Sequence, residues 1–112
     1  MKILFYEEQV NINAVNTDGQ TALMLAIKKK QQIWIELILE QNPNIDQQDK
    51  NGFTALMYVA QQYEPDRFAK MLLDHGASPS ITSNEGKTAL DIAIHLCKDL
   101  WCKEWVKKVF RT

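Results

Sequence analysis

At 112 residues the chain has room for one domain and not two, and 46% apolar with 24% charged residues is the composition of an ordinary soluble protein. A formal net charge of −1 supplies no global field for nucleic acid or an anionic membrane, and no apolar run approaches the ~20 residues that span a bilayer. The opening MKILFYEEQ turns acidic at once and has no small-residue cleavage site, so it reads as a poor signal peptide.

Residues 3–8 read as the end of a helix leading into 9–13, and the same pattern closes later segments at 39–46 and 73–80. The chain therefore reads as starting inside a repeat, with Leu4 and Phe5 awaiting turns to cover them. A first complete unit is expected over 13–46. After a turn at Asp18-Gly19, helix A runs from Ala22 to Lys29 with Leu23, Ala26 and Ile27 at helical spacing. Helix B, from Gln32 to Glu40, is apolar around much of its circumference and is stopped by Pro43. A second unit, 47–81, repeats this with Leu56, Val59 and Ala60 in its first helix and Phe68, Met71, Leu72 and Leu73 in its second. An extra residue falls in Tyr63-Glu64-Pro65-Asp66, a surface turn where an insertion costs little. A third unit, 82–112, has a helix from Ala89 to Leu96 and another from Asp99 through Phe110. The charged face of that last helix reads as a C-terminal cap.

These units share a signature. Asp18-Gly19-Gln20-Thr21-Ala22-Leu23 returns as Asn51-Gly52-Phe53-Thr54-Ala55-Leu56 and as Glu85-Gly86-Lys87-Thr88-Ala89-Leu90. The threonines are 33 and then 34 residues apart, the period of a helical solenoid. Glycine suits the turn, and threonine can satisfy unpaired N–H groups at a helix start.

Catalytic chemistry finds little support. The glycines are isolated in turns, so there is no phosphate loop, and His75 and His95 fall in separate units with no matching acid or nucleophile. Cys97 and Cys102, five residues apart on a helical stretch, suit neither a disulfide nor a zinc site and read as reduced thiols in a cytosol-like compartment. No metal, cofactor or catalytic residue is assigned. Lys28-Lys29-Lys30 reads either as a solvated helix end or as a small patch for an acidic partner. Residues 91–112 carry a mild local excess of positive charge, too small to suggest DNA. Phe53 stands where the other units carry Gln20 and Lys87; it is either an anchor for a partner or packed against its own turn. Tyr58 reads as core, with its hydroxyl reaching the inner surface.

The Gly-x-Thr-Ala-Leu signature, the paired helices and the closing Leu72-Leu73-Asp74-His75-Gly76-Ala77 resemble the ankyrin-repeat family across practically the whole chain. Ala22, Ala55 and Ala89 stand where the family commonly has proline. Lys30 replaces a glycine between helices, and Asn42-Pro43 replaces Gly-Ala. Asn42 can still take a left-handed conformation. The resemblance implies an all-α solenoid, an ankyrin-type stack of antiparallel helix pairs linked by β-turns or short hairpins, in one domain over 1–112. It also implies a non-catalytic protein–protein interaction module that uses its turn tips and inner helices. The alternative is a structural or substrate-targeting segment of a larger enzyme or adaptor. Carried onto this chain, the partner surface is Thr17, Asp18, Lys50, Asn51, Phe53, Asn84 and Glu85 at the tips, with Lys28 and Lys29 along one side. The partner is expected to be a protein, with no nucleic acid and no membrane, and Leu4 and Phe5 suggest a homodimer through the N-terminal end. The expected location is cytoplasmic, with delivery into another cell by a specialised route left open.

Overall fold

The computed structural model describes residues 12–61, 66–96 and 107–108, with the side chains of 66 and 67 excepted. Five helices follow one another: α1 (Ala22–Lys28), α2 (Gln32–Glu40), α3 (Ala55–Ala60), α4 (Asp66–Asp74) and α5 (Ala89–Leu96). Residues 107 and 108 are also helical, and no strand occurs among the described residues. The expected N-terminal remnant, the inserted turn at 63–65, both cysteines and most of the C-terminal cap lie outside the described residues.

Each first helix begins on the repeated threonine. Thr21 Oγ1 accepts from the Met24 N–H at 3.2 Å, and Thr54 Oγ1 from Met57 at 3.4 Å. Thr88 does the same with Asp91 at 3.2 Å, and Asp91 Oδ2 accepts the Thr88 N–H at 3.0 Å, forming a reciprocal capping box. Asp91, which takes the place of the apolar Met24 and Met57, is thus a capping residue. The first repeat forms a weaker version, in which the Met24 sulfur accepts the Thr21 N–H at 3.5 Å.

The helix ends use left-handed residues. After α1, Lys30 (φ 57°) donates its N–H to Ile27 O at 2.9 Å, and Gln31 donates to Ala26 O at 3.0 Å. After α4, Gly76 (φ 93°) and Ala77 repeat the pair, donating to Leu73 O and Leu72 O at 3.0 Å each. Both are Schellman closures. After α2, Asn42 (φ 52°) makes its bond to Leu39 O at 3.2 Å, but Pro43 has no N–H for the second. The left-handed Asn42 expected from the sequence is therefore present, in a closure with half the usual bonds.

Packing is between neighbours. α1 lies against α2 and α3, and α3 against α4 and α5, so α3 is the centre of the described stack. Leu23, Met24, Ile27, Ile35, Leu39, Leu56, Met57, Val59 and Leu72 are buried in one continuous core that threads from repeat to repeat. That core follows the helical spacing of the sequence, and burial of such side chains contributes roughly 1.5–3 kcal/mol each. Glu36, Glu40, Lys70 and Asp74 on the second helices are exposed, as their charge requires.

Candidate functional site

Three tight turns project beside the first helices, and one residue builds each of them. Asn16, Asp49 and Ser83 lie five residues before the capping threonines. Asn16 Oδ1 accepts from the Asp18 and Gln20 N–H groups at 2.9 Å each. Asp49 Oδ1 accepts from Asn51 at 2.8 Å and Phe53 at 3.0 Å. Ser83 Oγ accepts from Glu85 at 3.2 Å and Lys87 at 3.4 Å. Their backbones close the same loops, donating N–H to Gln20, Phe53 and Lys87 carbonyls at 2.9–3.0 Å. A short polar side chain that reaches N–H groups two and four residues on is the mechanism of Asx- and Ser-type turns. These three residues were missing from the predicted site. Their common offset from the threonines was the signal that could have found them.

The turns are also tied to one another. Lys50 N–H donates to Asp18 O at 3.0 Å and Asn84 N–H to Asn51 O at 3.1 Å, the same bond one repeat later. Asn84 Nδ2 adds a bond to Lys50 O at 2.9 Å, and Gln48 Nε2 bridges Gly52 O and Thr82 O at 2.8 and 2.9 Å. Backbone contact is close enough that a Cβ on Gly52 would meet the Asn84 nitrogen at 2.5 Å, and one on Gly19 the Lys50 nitrogen at 3.0 Å. The tips therefore form one hydrogen-bonded row.

Most predicted partner-binding residues sit on this row. Asp18 and Lys50 come together as an ion pair (2.9 Å, both side chains at least half exposed), and the partnership holds the lysine above its ordinary pKa. Thr17, Asn51, Asn84 and Glu85 are exposed at the tips, although Asn51 and Asn84 each carry an inter-repeat bond. Phe53 is half-buried, its ring 5.3 Å from that of Tyr58 and tilted by 53°. It therefore packs within its own repeat, as one of the two readings open in the sequence has it, and stays partly exposed.

Tyr58 is the junction between the middle tip and the helices. Its hydroxyl donates to Asp49 Oδ2 and accepts from Gln20 Nε2 at 3.4 Å, while the Lys28 ammonium lies 5.5 Å from its ring centre. That is a cation–π distance. Burial first, and then the Asp49 bond, raise the phenol above its ordinary pKa. The structure thus brings Lys28 to the middle repeat through an aromatic ring, whereas Lys29 projects into solvent beside it. Tyr58 corresponds to Leu25 and Ile92 in the flanking repeats, so only the middle tip has this brace. Among the described residues, no group of three His, Cys, Asp or Glu converges as a metal site, and no helix is long and apolar enough to cross a membrane.

A model for ankyrin repeats in three copies matches residues 1–82 and 35–106. The chain belongs to the ankyrin-repeat family. Ankyrin repeats generally mediate protein–protein interaction, and the family is generally non-catalytic. Ankyrin repeat and SAM domain-containing protein 6 of Mus musculus is 35% identical over 91 residues, covering 80% of this chain and 10% of that protein. Putative ankyrin repeat protein L91 of Acanthamoeba polyphaga mimivirus is 34% identical over 88 residues, covering 73% of this chain and 14% of the viral protein. A shorter match, 40% over 58 residues, covers 51% of this chain and 12% of the human NAD-capped RNA hydrolase NUDT12. The chain thus spans about a tenth to a seventh of the length of these ankyrin-repeat relatives.

Proposed function

We propose that this ankyrin-repeat chain is a non-catalytic module that holds a protein partner along its three tips and the exposed side of its first helices. The row of tips carries the reading. Pins and inter-repeat bonds fix its backbone before any partner arrives, so little ordering entropy is lost on binding. Thr17, Asp18, Lys50, Asn51, Asn84 and Glu85 offer donors and both signs of charge, and Phe53 adds a partly exposed aromatic ring among them. That mixture suits a polar interface around an aromatic centre. The outer faces of α2 and α4 present the solvated charges of Glu36, Glu40, Lys70 and Asp74 together with the apolar Ile33.

Photo-crosslinking residues placed singly at 17, 51 and 85, and at outer positions 36 and 70, test this in an extract of the source cells. One and the same protein should be captured from the three tip positions and not from the outer two. Capture from 36 and 70 alone would place the partner on the opposite side.

A second reading, a targeting segment within a larger protein, is favoured by the small share of each relative that the chain spans. The reading frame around the coding sequence decides it: an extended frame encoding further domains supports the segment, and stop signals at both ends oppose it.

A further inference from the structure

We infer that the helix-end lysines of the first repeat form a seat for an acidic stretch of the partner, with an apolar side chain of that stretch lying against Leu25. This rests on the protein-binding reading above and names the chemistry of the partner. Ala22, Leu25, Lys28 and Lys29 form the exposed stripe of α1, opposite the buried Leu23, Ala26 and Ile27. Leu25, 37% exposed, precedes the two lysines by three and four residues, so all three share one face.

Three observations make this stripe positive and available. The carbonyls at the end of α1 are already taken by backbone N–H groups of Lys29, Lys30 and Gln31, so the lysine ammonium groups are not needed to satisfy them. None of Lys28, Lys29 and Lys30 forms an ion pair with a described residue. The carboxylates of the neighbouring tips are engaged elsewhere: Asp18 with Lys50, and the buried Asp49 with two N–H groups and Tyr58. Among the described residues the positive charge therefore has no ion-pair counterpart on this face.

Lys28 is also placed rather than loose. Its ammonium rests over the Tyr58 ring, and Tyr58 is held by Asp49, Gln20 and Phe53. A positioned cation beside an exposed leucine fits a carboxylate next to an apolar side chain, because both contacts form without first ordering the site. Gln61 and His95 occupy the Lys28 position in the next two repeats and are exposed, which extends a polar track for the rest of an extended peptide. One face of the Tyr58 ring, on which a nucleic-acid base could stack, carries the Lys28 ammonium.

The test uses three fluorescent probes on the intact chain: a ten-residue peptide alternating Glu and Leu, its Lys–Leu counterpart, and a single-stranded oligonucleotide of matched charge. Anisotropy measures binding, and amide NMR shifts locate it. The Glu–Leu peptide should bind, shift the amides of Leu25, Lys28, Lys29, Tyr58 and Gln61, and weaken as salt is raised. Lys28→Glu with Lys29→Glu should weaken it by about tenfold or more, with Lys70→Glu unchanged. Preference for the Lys–Leu peptide, or for the oligonucleotide, at these same amides overturns the acidic-peptide assignment and leaves the inner face standing. Shifts confined to α2 and α4 overturn that face as well. Glu–Leu binding that the double variant does not weaken, or no binding at all, overturns the lysine seat alone.

Discussion

The first and middle repeats share a plan and differ in the residues that carry it out. The middle repeat closes its second helix on Gly76 with two bonds, whereas the first closes on Asn42 with one, because Pro43 cannot donate. The first repeat also places Lys30, a side chain with a Cβ, in left-handed backbone between its helices. At the tips the contrast recurs. Asp49 is a buried carboxylate with three donors, one of them Tyr58, while Asn16 is an exposed neutral side chain and the Tyr58 position in its repeat is Leu25. The same fold is therefore held by unequal sets of local bonds. In a solenoid that inequality stays local, since each repeat rests on its neighbours.

The largest test of the contrast removes the two pins. Asp49→Ala strands two N–H groups and a phenol and should cost about 2–4 kcal/mol, whereas Asn16→Ala should cost only about 0.5–1.5 kcal/mol. Urea unfolding of both variants measures the difference, and equal losses would mean that burial and charge at Asp49 add nothing. Moving the other way, Lys30→Gly relieves left-handed backbone and should stabilise by about 0.5–1 kcal/mol, with Asn42→Gly gaining less because asparagine tolerates that region. If Lys30→Gly destabilises the chain, the lysine makes a contact that outweighs its strain.

How much of this was legible in the sequence follows from which residues act locally. Thr21, Thr54 and Thr88 cap their own helices, so the repeat, the helix starts and the stack could be read from spacing alone. The left-handed Asn42 was also legible, since asparagine tolerates that region at a helix end. Lys30 could be read only as standing at a glycine position, because lysine carries no left-handed preference of its own. The Tyr58–Asp49 bond spans nine residues and Lys28 meets Tyr58 across thirty, and no periodicity specifies such meetings. For the same reason the sequence leaves Phe53 with two readings, since its contact with Tyr58 is set by the fold and not by spacing. Asn16, Asp49 and Ser83 were readable in principle. They differ in type, and their equivalence shows only when the shared function of their side-chain acceptors is considered.

Hydrogen exchange sharpens the comparison further. Amides in 22–28 should exchange faster than those in 55–60, because α3 is packed on both sides and the first repeat has the weaker closures. Equal or greater protection in α1 would contradict the ranking.

A smaller effect is expected in alkali. The raised Tyr58 pKa means that the folded state holds the phenolic proton more tightly than the unfolded chain, so the stabilisation is complete below the unfolded value, roughly 10. It is lost as pH rises through the raised folded value. Tyr58→Phe should flatten that part of the stability–pH curve, leaving the same-signed contribution of Lys50, whose pKa is raised by Asp18. A curve unchanged by Tyr58→Phe would show that the phenol is not responsible. The smallest effect belongs to the Asp18–Lys50 pair itself. It is exposed and screened by solvent, so Asp18→Ala should barely move the midpoint of a urea titration, and move it still less at high salt.

The pinned turns have a consequence for how such a chain can change over generations. In each tip one side chain at a fixed offset and one glycine maintain the shape, so the intervening positions can be rewritten without redesigning the loop. Thr17-Asp18, Lys50-Asn51 and Glu85 are in this sense interchangeable letters in a rigid frame, with Asn84 more constrained because its side chain also bonds to the neighbouring tip. A library varied at the first five positions, with Asn16, Asp49, Ser83 and the glycines held constant, should yield mostly folded members with new specificities. If the tips bind as proposed, shape and specificity are inherited through different residues.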